Sequence, residues 1–323
     1  MIYGATGYTG RMAAQHAAAA GLDPILGGRD SGRLAKLAAE LGVASRAFGL
    51  NDTVALDKSL SDVSVLLNCA GPYARTAEPL MTAAIRTRVH YLDIAAELDS
   101  YHLAETLDEQ AAATGVLLLP GSGGSVAMLG CLAGHAAERV ADPVGIRIAL
   151  HVAGSMSRGS AISAAENLTT ESLMRVDGKI ASRSPDDVRE LDFGNGPVTC
   201  SPVTLPDLVT IWHATNIPNI ETFVHVSGDA FPQGDPAALP DGPTAEQRLA
   251  DRYHAAAEVE GEDGAIARSV LDTVNGYTFT PMAAAEAARR VLSGEHRPGF
   301  HTPATLFGNG FAETIADTTI RDL

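Results

Sequence analysis

The chain has 323 residues, which at roughly 150 residues per domain predicts two domains, each able to bury a core without disulfide or metal staples. Acidic residues outnumber basic ones 39 to 23, for a formal charge of −16, and such a field repels nucleic acid and anionic lipid unless a basic patch opposes it. The lysines are only Lys36, Lys58 and Lys179 and no basic run stands out, so neither a nucleic acid nor a membrane is expected as partner.

Cys69, Cys131 and Cys200 are odd in number and widely spaced, which fits neither a disulfide framework nor a zinc site with paired cysteines. The ten histidines show no His-x-x-x-His or His-Glu-x-x-His spacing, so no metal site is expected. The start carries no basic, then apolar leader, and no apolar run nears the roughly 18 residues of a membrane span. The expectation is a soluble cytoplasmic protein.

From the start to about Pro120, short apolar runs alternate with helix-length segments, the pattern of a parallel sheet wound with crossover helices. Strands are predicted at Ile2-Tyr3, Pro24 to Gly28, Ser45 to Phe48, Val63 to Asn68, His90 to Ile94 and Val116 to Leu119. The first is short for a strand that leads into a glycine turn, which leaves open a clipped or misassigned start. Among the intervening helices the clearest stripe is Leu34, Leu37, Ala38 and Leu41, with Gly42 standing where a helix often ends.

After Gly121-Ser122-Gly123-Gly124 the texture changes. A small-residue helix is predicted from Ser125 to about Val140, a strand from Ile146 to Val152, and a bend from Gly154 to Ser160. Val198 to Leu205, Leu208 to Ala214 and Glu221 to Ser227 read as further strands, and strands gathered in this way suggest a mixed sheet. Phe231 to Pro243, with Pro232, Pro236, Pro240 and Pro243, reads as a loop. A helix from about Thr244 to Val259, an acidic break at Glu260 to Gly264, and a helical stripe at Ala284, Ala287, Ala288 and Val291 follow. The fold class is α/β: a Rossmann doubly wound parallel sheet with a second α+β mixed-sheet domain.

The sharpest chemical signal is Gly4-Ala5-Thr6-Gly7-Tyr8-Thr9-Gly10, placed between a strand and a helix. The first glycine permits the tight turn, the second lets the backbone approach a pyrophosphate, the third lets helix and strand pack closely, and free N–H groups at the helix start attract phosphate. Cofactor choice is set at the end of the second strand, where an acid holds a ribose hydroxyl and an arginine accepts a 2′-phosphate. There the chain reads Gly28-Arg29-Asp30 with Arg33 one turn on. Arg29 favours NADP, NAD remaining the alternative, while Asp30 also fits a helix N-cap.

The fourth strand leaves through Asn68-Cys69-Ala70-Gly71-Pro72-Tyr73 at the carboxyl edge of the sheet, where ligands bind in such folds. The fifth brings His90-Tyr91-Leu92-Asp93 and Glu97 to the same edge. Asp93 and Glu97 are placed either to bind an amine or relay a proton, or only to cap the next helix. His213 beside Trp212, and His225, are pocket contacts or core histidines.

In order and spacing these motifs resemble the saccharopine dehydrogenase-like oxidoreductases, including their trans-acting enoyl reductase subgroup, and Gly276-Tyr277, Gly299-Phe300-His301-Thr302-Pro303-Ala304 and Phe307-Gly308 look like that family's closing segment. The resemblance implies an N-terminal Rossmann domain that binds NAD or NADP, a mixed-sheet domain, and a C-terminal return to the first. It implies that the glycines Gly4, Gly7 and Gly10 with Thr6, Tyr8 and Thr9 meet the pyrophosphate, that Arg29 with Asp30 meets the adenosine end, and that Cys69, Ala70, Gly71, Pro72 and Tyr73 face the nicotinamide. Tyr73, Asp93 and Glu97 are the catalytic candidates. One departure is that Pro120-Gly121-Ser122-Gly123-Gly124-Ser125-Val126 lacks the aspartate of the family's Pro-Gly-x-Gly-Phe-Asp-Ser.

Neighbouring classes fit less well. The positions four before the lysines are Gly32, Val54 and Arg175 rather than the tyrosine that short-chain dehydrogenases need, and Cys131 lies in an apolar helix rather than beside a base as a thiol nucleophile requires. The expectation is an NAD(P)-dependent oxidoreductase of an unidentified small substrate, the alternative being a catalytically silent NADP-binding sensor or scaffold. Residues 1–123 would form the dinucleotide-binding domain, 124–300 the substrate and dimerisation domain, and 301–323 a segment returning to the first. Small-residue helices such as Ser125 to Val140 offer a homodimer interface.

Overall fold

The structure is a computed structural model and describes residues 1–166, 172–228, 235 and 238–323. Six strands alternate with helices from the start: β1 (Ile2–Tyr3), α1 (Tyr8–Ala19), β2 (Leu26–Gly28), α2 (Ser31–Leu41), β3 (Ser45–Ala47), α3 (Thr53–Leu60), β4 (Val65–Asn68), α4 (Tyr73–Thr87), β5 (His90–Asp93), α5 (Leu98–Thr114) and β6 (Leu117–Leu119). They form a parallel sheet in the order β3-β2-β1-β4-β5-β6, extended beyond β6 by a late strand, β15 (Gly299–Phe300). Both faces are covered, which is why Val65–Leu67 and Leu117–Leu119 are apolar throughout rather than alternating. Leu66, Tyr91 and Leu118 face α4 and α5, while Leu67, Leu92 and Leu117 belong to the core that runs on into the second sheet.

Local chemistry explains several boundaries. Asp30 caps α2 by accepting the Arg33 N–H at 2.9 Å, Leu34, Leu37 and Ala38 are its buried stripe, and Gly42 closes it. The strand order reverses between β1 and β4, and at this switch point a crevice opens at the carboxyl edge of the sheet.

The second sheet is mixed. Its strands are β7 (Pro143–Ala153), β8 (Ser172–Val176), β9 (Lys179–Arg183), β10 (Arg189–Asp192), β11 (Pro197–Pro202), β12 (Asn219–Ser227), β13 (Tyr253–Gly261), β14 (Ile266–Thr273) and β16 (Thr319–Asp322). The main order is β10-β11-β12-β7-β13-β14-β16, with the β8–β9 hairpin attached to β12. Only β12 and β7 pair in parallel among these neighbours. Helix α6 (Gly124–Ala137) lies between the two sheets and is buried along its length. That placement uses its small side chains for packing inside the chain, so it is not an exposed face for a second copy. The remaining helices are α7 (Arg158–Glu166), α8 (Asp207–Thr215), α9 (Ala245–Ala250), α10 (Gly276–Leu292) and α11 (Pro303–Phe307).

Three expectations are corrected here. Leu208 to Ala214 is helical, not extended: Asp207 opens the first turn, Asn216 closes it in the left-handed region, and Leu208, Val209 and Ile211 are buried. The helix predicted from Thr244 to Val259 stops at Ala250, and β13 follows, because Tyr253, Ala255, Ala257 and Val259 alternate into the core under α6. The C-terminal return starts earlier than residue 301, with α10 and β15, whereas β16 pairs with β14 of the second sheet. Of the Phe231 to Pro243 loop, 231–234 and 236–237 lie outside the described residues; 238–243 contain no strand.

Candidate dinucleotide site and catalytic cleft

The glycine loop joins β1 to α1 at the switch point. Gly4 has φ +79°, and a Cβ there would stand 2.8 Å from the Ala70 nitrogen and the Cys69 carbonyl carbon; a Cβ on Gly10 would collide with the Gly4 carbonyl oxygen. Both positions therefore demand glycine. Gly7 is the N-cap of α1 and no side chain caps that helix, which leaves the first-turn N–H groups open to an anion. A cradle of bare backbone ending on an uncapped helix fits the pyrophosphate of a dinucleotide.

Arg29 is exposed at the end of β2, and Arg33 donates from Nη2 to the Thr6 carbonyl at 2.9 Å. Arg33 thus reaches the loop on the side where the adenosine end would lie, with Arg29 exposed at the strand end. Asp30 has one carboxylate oxygen engaged as the α2 cap.

At the end of β4, Asn68 organises the turn that sequence placed at the nicotinamide side. Its Oδ1 accepts the Ala70 N–H at 3.0 Å, and its Nδ2 donates to Thr76 Oγ1 at 3.1 Å and to the Tyr91 hydroxyl at 3.2 Å. Gly71 and Pro72 are joined by a cis peptide bond. Tyr73 is buried and donates its hydroxyl to the Asn68 carbonyl at 3.2 Å; burial first, then Cys69, Asp93 and Glu97, hold its ionisation well above the usual phenol range. Burial and then Asp93 push the Cys69 thiol up to about 12, so it is no thiolate nucleophile.

Asp93 is fully enclosed. Its Oδ1 accepts the Ala95 N–H at 3.0 Å and the Gly121 N–H at 2.8 Å, while Oδ2 accepts the Tyr91 hydroxyl at 2.8 Å. Burial pushes its carboxyl up to about 6 against the pull of these donors. Glu97 differs. Its Oε2 accepts the Ala96 N–H at 2.9 Å, but Oε1 is buried with no hydrogen-bond partner.

Beyond the Gly276-Tyr277 resemblance, no spacing signal marks what the chain after β6 adds to the site. Tyr277, in the first turn of α10, accepts the Ser157 N–H at 2.8 Å, donates to Ser160 Oγ at 3.0 Å, and sets its ring edge-on to Tyr8 at 5.7 Å. Ser163 of α7 lies against Gly71. Arg248 of α9 donates to the Tyr8 hydroxyl at 2.6 Å. The glycine loop and the Gly71–Tyr73 turn are therefore both touched from the second domain. His213 packs on the Phe300 ring at 4.8 Å and His225 beside His151 at 4.9 Å, so neither joins this cleft. Among the described residues no cluster of His, Cys, Asp and Glu has a metal-holding arrangement, and no helix is long and apolar enough to cross a membrane.

Residues 1–119 match the family described as the saccharopine dehydrogenase NADP binding domain. The trans-acting enoyl reductase of Mycobacterium leprae is 32% identical over 133 residues, 37% of this chain and 30% of that protein. The human saccharopine dehydrogenase-like oxidoreductase is 26% identical over 145 residues, 38% of this chain and 33% of that protein. The chain thus covers about a third of the length of these relatives. Among solved structures, saccharopine dehydrogenase (L-Glu forming) from Saccharomyces cerevisiae superposes with a TM-score of 0.69 at 14% identity, covering 100% of this chain and 99% of that one. Homospermidine synthase from Legionella pneumophila gives 0.65 at 10% identity, covering 100% and 90%. The two superpositions show the shared fold of both sheets.

Proposed function

With residues 1–119 a saccharopine dehydrogenase-type NADP-binding domain, we propose that the chain is an NADP(H)-dependent oxidoreductase acting on a small organic substrate. The observation that carries this reading is the Gly4–Gly10 cradle, whose bare backbone ends on an uncapped helix at the switch point of the sheet. Arg29 at the end of β2 supports NADP over NAD, since a 2′-phosphate calls for a cationic donor there.

When bound, the cofactor supplies hydride chemistry at its nicotinamide ring. The chain's own residues position and shield it. Asn68, Thr76 and Tyr73 fix the turn Cys69–Tyr73, and α7 with Tyr277 closes the other side of the cleft. Of the three catalytic candidates, Asp93 and Tyr73 have their polar atoms engaged in holding backbone and neighbouring side chains. Glu97 keeps a free oxygen and is the group we assign to proton handling at the substrate. A homodimeric assembly and a cytoplasmic location belong to the same proposal.

A second reading, a cofactor-binding sensor without turnover, is favoured by one observation: the Gly121 turn, which lacks the family's aspartate, is occupied by Asp93 through its Gly121 N–H bond. Calorimetric titration with NADPH and NADH, followed by a turnover screen over carbonyl, imine and enoyl compounds, tests both. NADPH binding with turnover supports the enzyme, binding without turnover the sensor, and absence of binding to either nucleotide overturns the cofactor reading.

A further inference from the structure

We infer that Arg248, supplied by the second domain, is a direct ligand of the dinucleotide pyrophosphate and clamps the cofactor from the side facing the glycine loop. The inference rests on the reading that the chain binds NADP(H). It starts from Tyr8, which follows Gly7 and opens α1. Side chains on a helix lean toward its N-terminus, so the Tyr8 ring leans past the helix start, toward the side on which the open N–H groups of the loop lie. Arg248 Nη1 donates to the Tyr8 hydroxyl at 2.6 Å and to the Pro243 carbonyl at 3.0 Å, and its guanidinium carbon stands 5.9 Å from the ring centroid. The Tyr8 hydroxyl in turn donates to the Pro243 carbonyl.

The charge of Arg248 is what lacks an explanation inside the chain. Among the described residues no carboxylate lies within ion-pair distance of it, and Nε and Nη2 make no hydrogen bond. Other partly exposed arginines, such as Arg46 with Asp62, Arg86 with Asp57 and Arg252 with Asp272, are paired, as a chain with 39 acidic and 23 basic residues readily allows. Arg248 instead stands beside the start of α1, the positive end of the helix dipole, where a cation is unfavourable and an anion is favoured. Its field reaches along that helix: burial first and Arg248 second lower the pKa of His16.

An anion lying on the α1 N-terminus removes this conflict, because it meets the helix N–H groups on one side and the unused Nε and Nη2 donors on the other. The segment holding Arg248 is already seated. Gly242 lies against the Tyr8 ring, and Arg158 of α7 donates from Nε to the Leu239 carbonyl at 2.7 Å and pairs with Asp241 at 3.0 Å. No large movement is needed to deliver the guanidinium. In a chain of net charge −16, a locally placed cation of this kind offsets the repulsion an anionic cofactor meets on approach.

The test compares ligands that do and do not carry a pyrophosphate, with binding as the readout. Affinities for NADPH and for adenosine 2′-monophosphate are measured by calorimetry on the full chain and on the R248A, R248K and Y8F variants, each checked for folding by thermal melting. The expected result is that R248A weakens NADPH by about tenfold or more while leaving adenosine 2′-monophosphate within about twofold, and that R248K recovers part of the loss. Y8F keeps the ring and the backbone that meet the pyrophosphate and removes only the hydroxyl, so it should lose clearly less than R248A. NADPH affinity unchanged in R248A overturns the inference. So does an equal loss in Y8F, which would make Arg248 a latch for the tyrosine, or a parallel loss of adenosine 2′-monophosphate, which would make it a general field effect. Should R248A fail to fold, R248K carries the test against a native-like melting curve, a loss of about threefold supporting the inference and none overturning it. Failure of the native chain to bind NADPH overturns the cofactor reading along with this one and is distinct from a native chain that binds while R248A binds equally well.

Discussion

Asp93 Oδ1 accepts the N–H of Gly121 at 2.8 Å, so the carboxylate at the end of β5 ties down the turn that leaves β6. The Ser122 N–H and hydroxyl add bonds to the Asp93 carbonyl at 2.8 and 2.7 Å. The carboxyl edge of the sheet is thereby held rigid beside the cleft, and a residue that looks catalytic by position is tied into the scaffold.

This assignment predicts opposite behaviour for two substitutions. Asp93→Ala leaves the Ala95 and Gly121 N–H groups and the Tyr91 hydroxyl without their partner and should destabilise by about 2 to 4 kcal/mol. Asp93→Asn retains an acceptor for both N–H groups and should cost about 1 kcal/mol or less near neutral pH. Urea denaturation at pH 7 separates the two, and equal losses would contradict the account.

The same carboxyl predicts a pH dependence of stability. Its pKa rises on folding from 3.8 to about 6 because burial disfavours the charged form. The folded state therefore holds the proton more tightly, so the contribution to stability is complete below about pH 4 and is lost as pH rises through 6. A shift of this size corresponds to roughly 2 to 3 kcal/mol. Stability curves of Asp93→Asn and the native chain should diverge between pH 4 and 6 in that direction.

Asp207 of α8 is a second carboxyl raised by burial. It is fully buried, neither carboxylate oxygen has a hydrogen-bond partner, and burial pushes its pKa from 3.8 up to about 7. An uncompensated buried carboxylate is costly. Asp207→Asn should stabilise the protein at pH 8 by about 1 to 3 kcal/mol, a gain that shrinks as pH falls through 7 and vanishes below about 4. Thermal melts of the two proteins at pH 8 and pH 4 check it; a destabilised variant at pH 8 would show that Asp207 has a charged partner in solution.

What was legible in the chain follows from the range of the interactions. The glycine loop, the Asp30 cap and the parallel strands are set by contacts within a few residues or by apolar runs buried on both faces, and each stands where the residues place it. Leu208–Ala214 and the Ala255–Ala257 run were not legible. Branched residues look extended until burial on all sides and the Asn216 cap make them a helix, and alanines look helical until α6 packs on them from another part of the fold. At the site, sequence brought Tyr73, Asp93 and Glu97 to one edge but carried no sign of which carboxylate oxygens would be occupied. Tyr277, though named in the closing segment, carried no sign of its place at the site, and Arg248 carried no signal, for a related reason. Their partners, Ser157 and Tyr8, lie 120 and 240 residues away, a separation no motif spans.

The glycine loop itself gives a sharper test of the cradle than any distant variant. Gly10→Ala places a methyl group against the Gly4 carbonyl oxygen, and Gly4→Ala adds to a similar clash a backbone at φ +79°. Each should destabilise by about 1 to 3 kcal/mol and weaken NADPH by about tenfold or more, because the cradle must shift before it can meet a pyrophosphate. Calorimetry on variants that still melt cooperatively reads the affinity; a folded Gly10→Ala protein with native NADPH affinity would place the cofactor elsewhere.

Cofactor preference should reside in Arg29. It is exposed at the end of β2 and accompanied by Arg33, whose Nη2 is held by the Thr6 carbonyl, so Arg29 is the guanidinium free to turn toward a 2′-phosphate while Arg33 braces the loop. Removing it in Arg29→Ala deletes a charge-assisted contact that NADPH makes and NADH cannot, and the preference for NADPH should fall by about tenfold with NADH affinity unchanged within about threefold. Arg33→Ala should weaken both nucleotides together, since the bond it removes lies on the loop rather than on the ribose phosphate. Titrating each variant with both nucleotides decides the matter: a parallel loss in Arg29→Ala would assign it to the general field of the site and leave the choice of nucleotide to another residue.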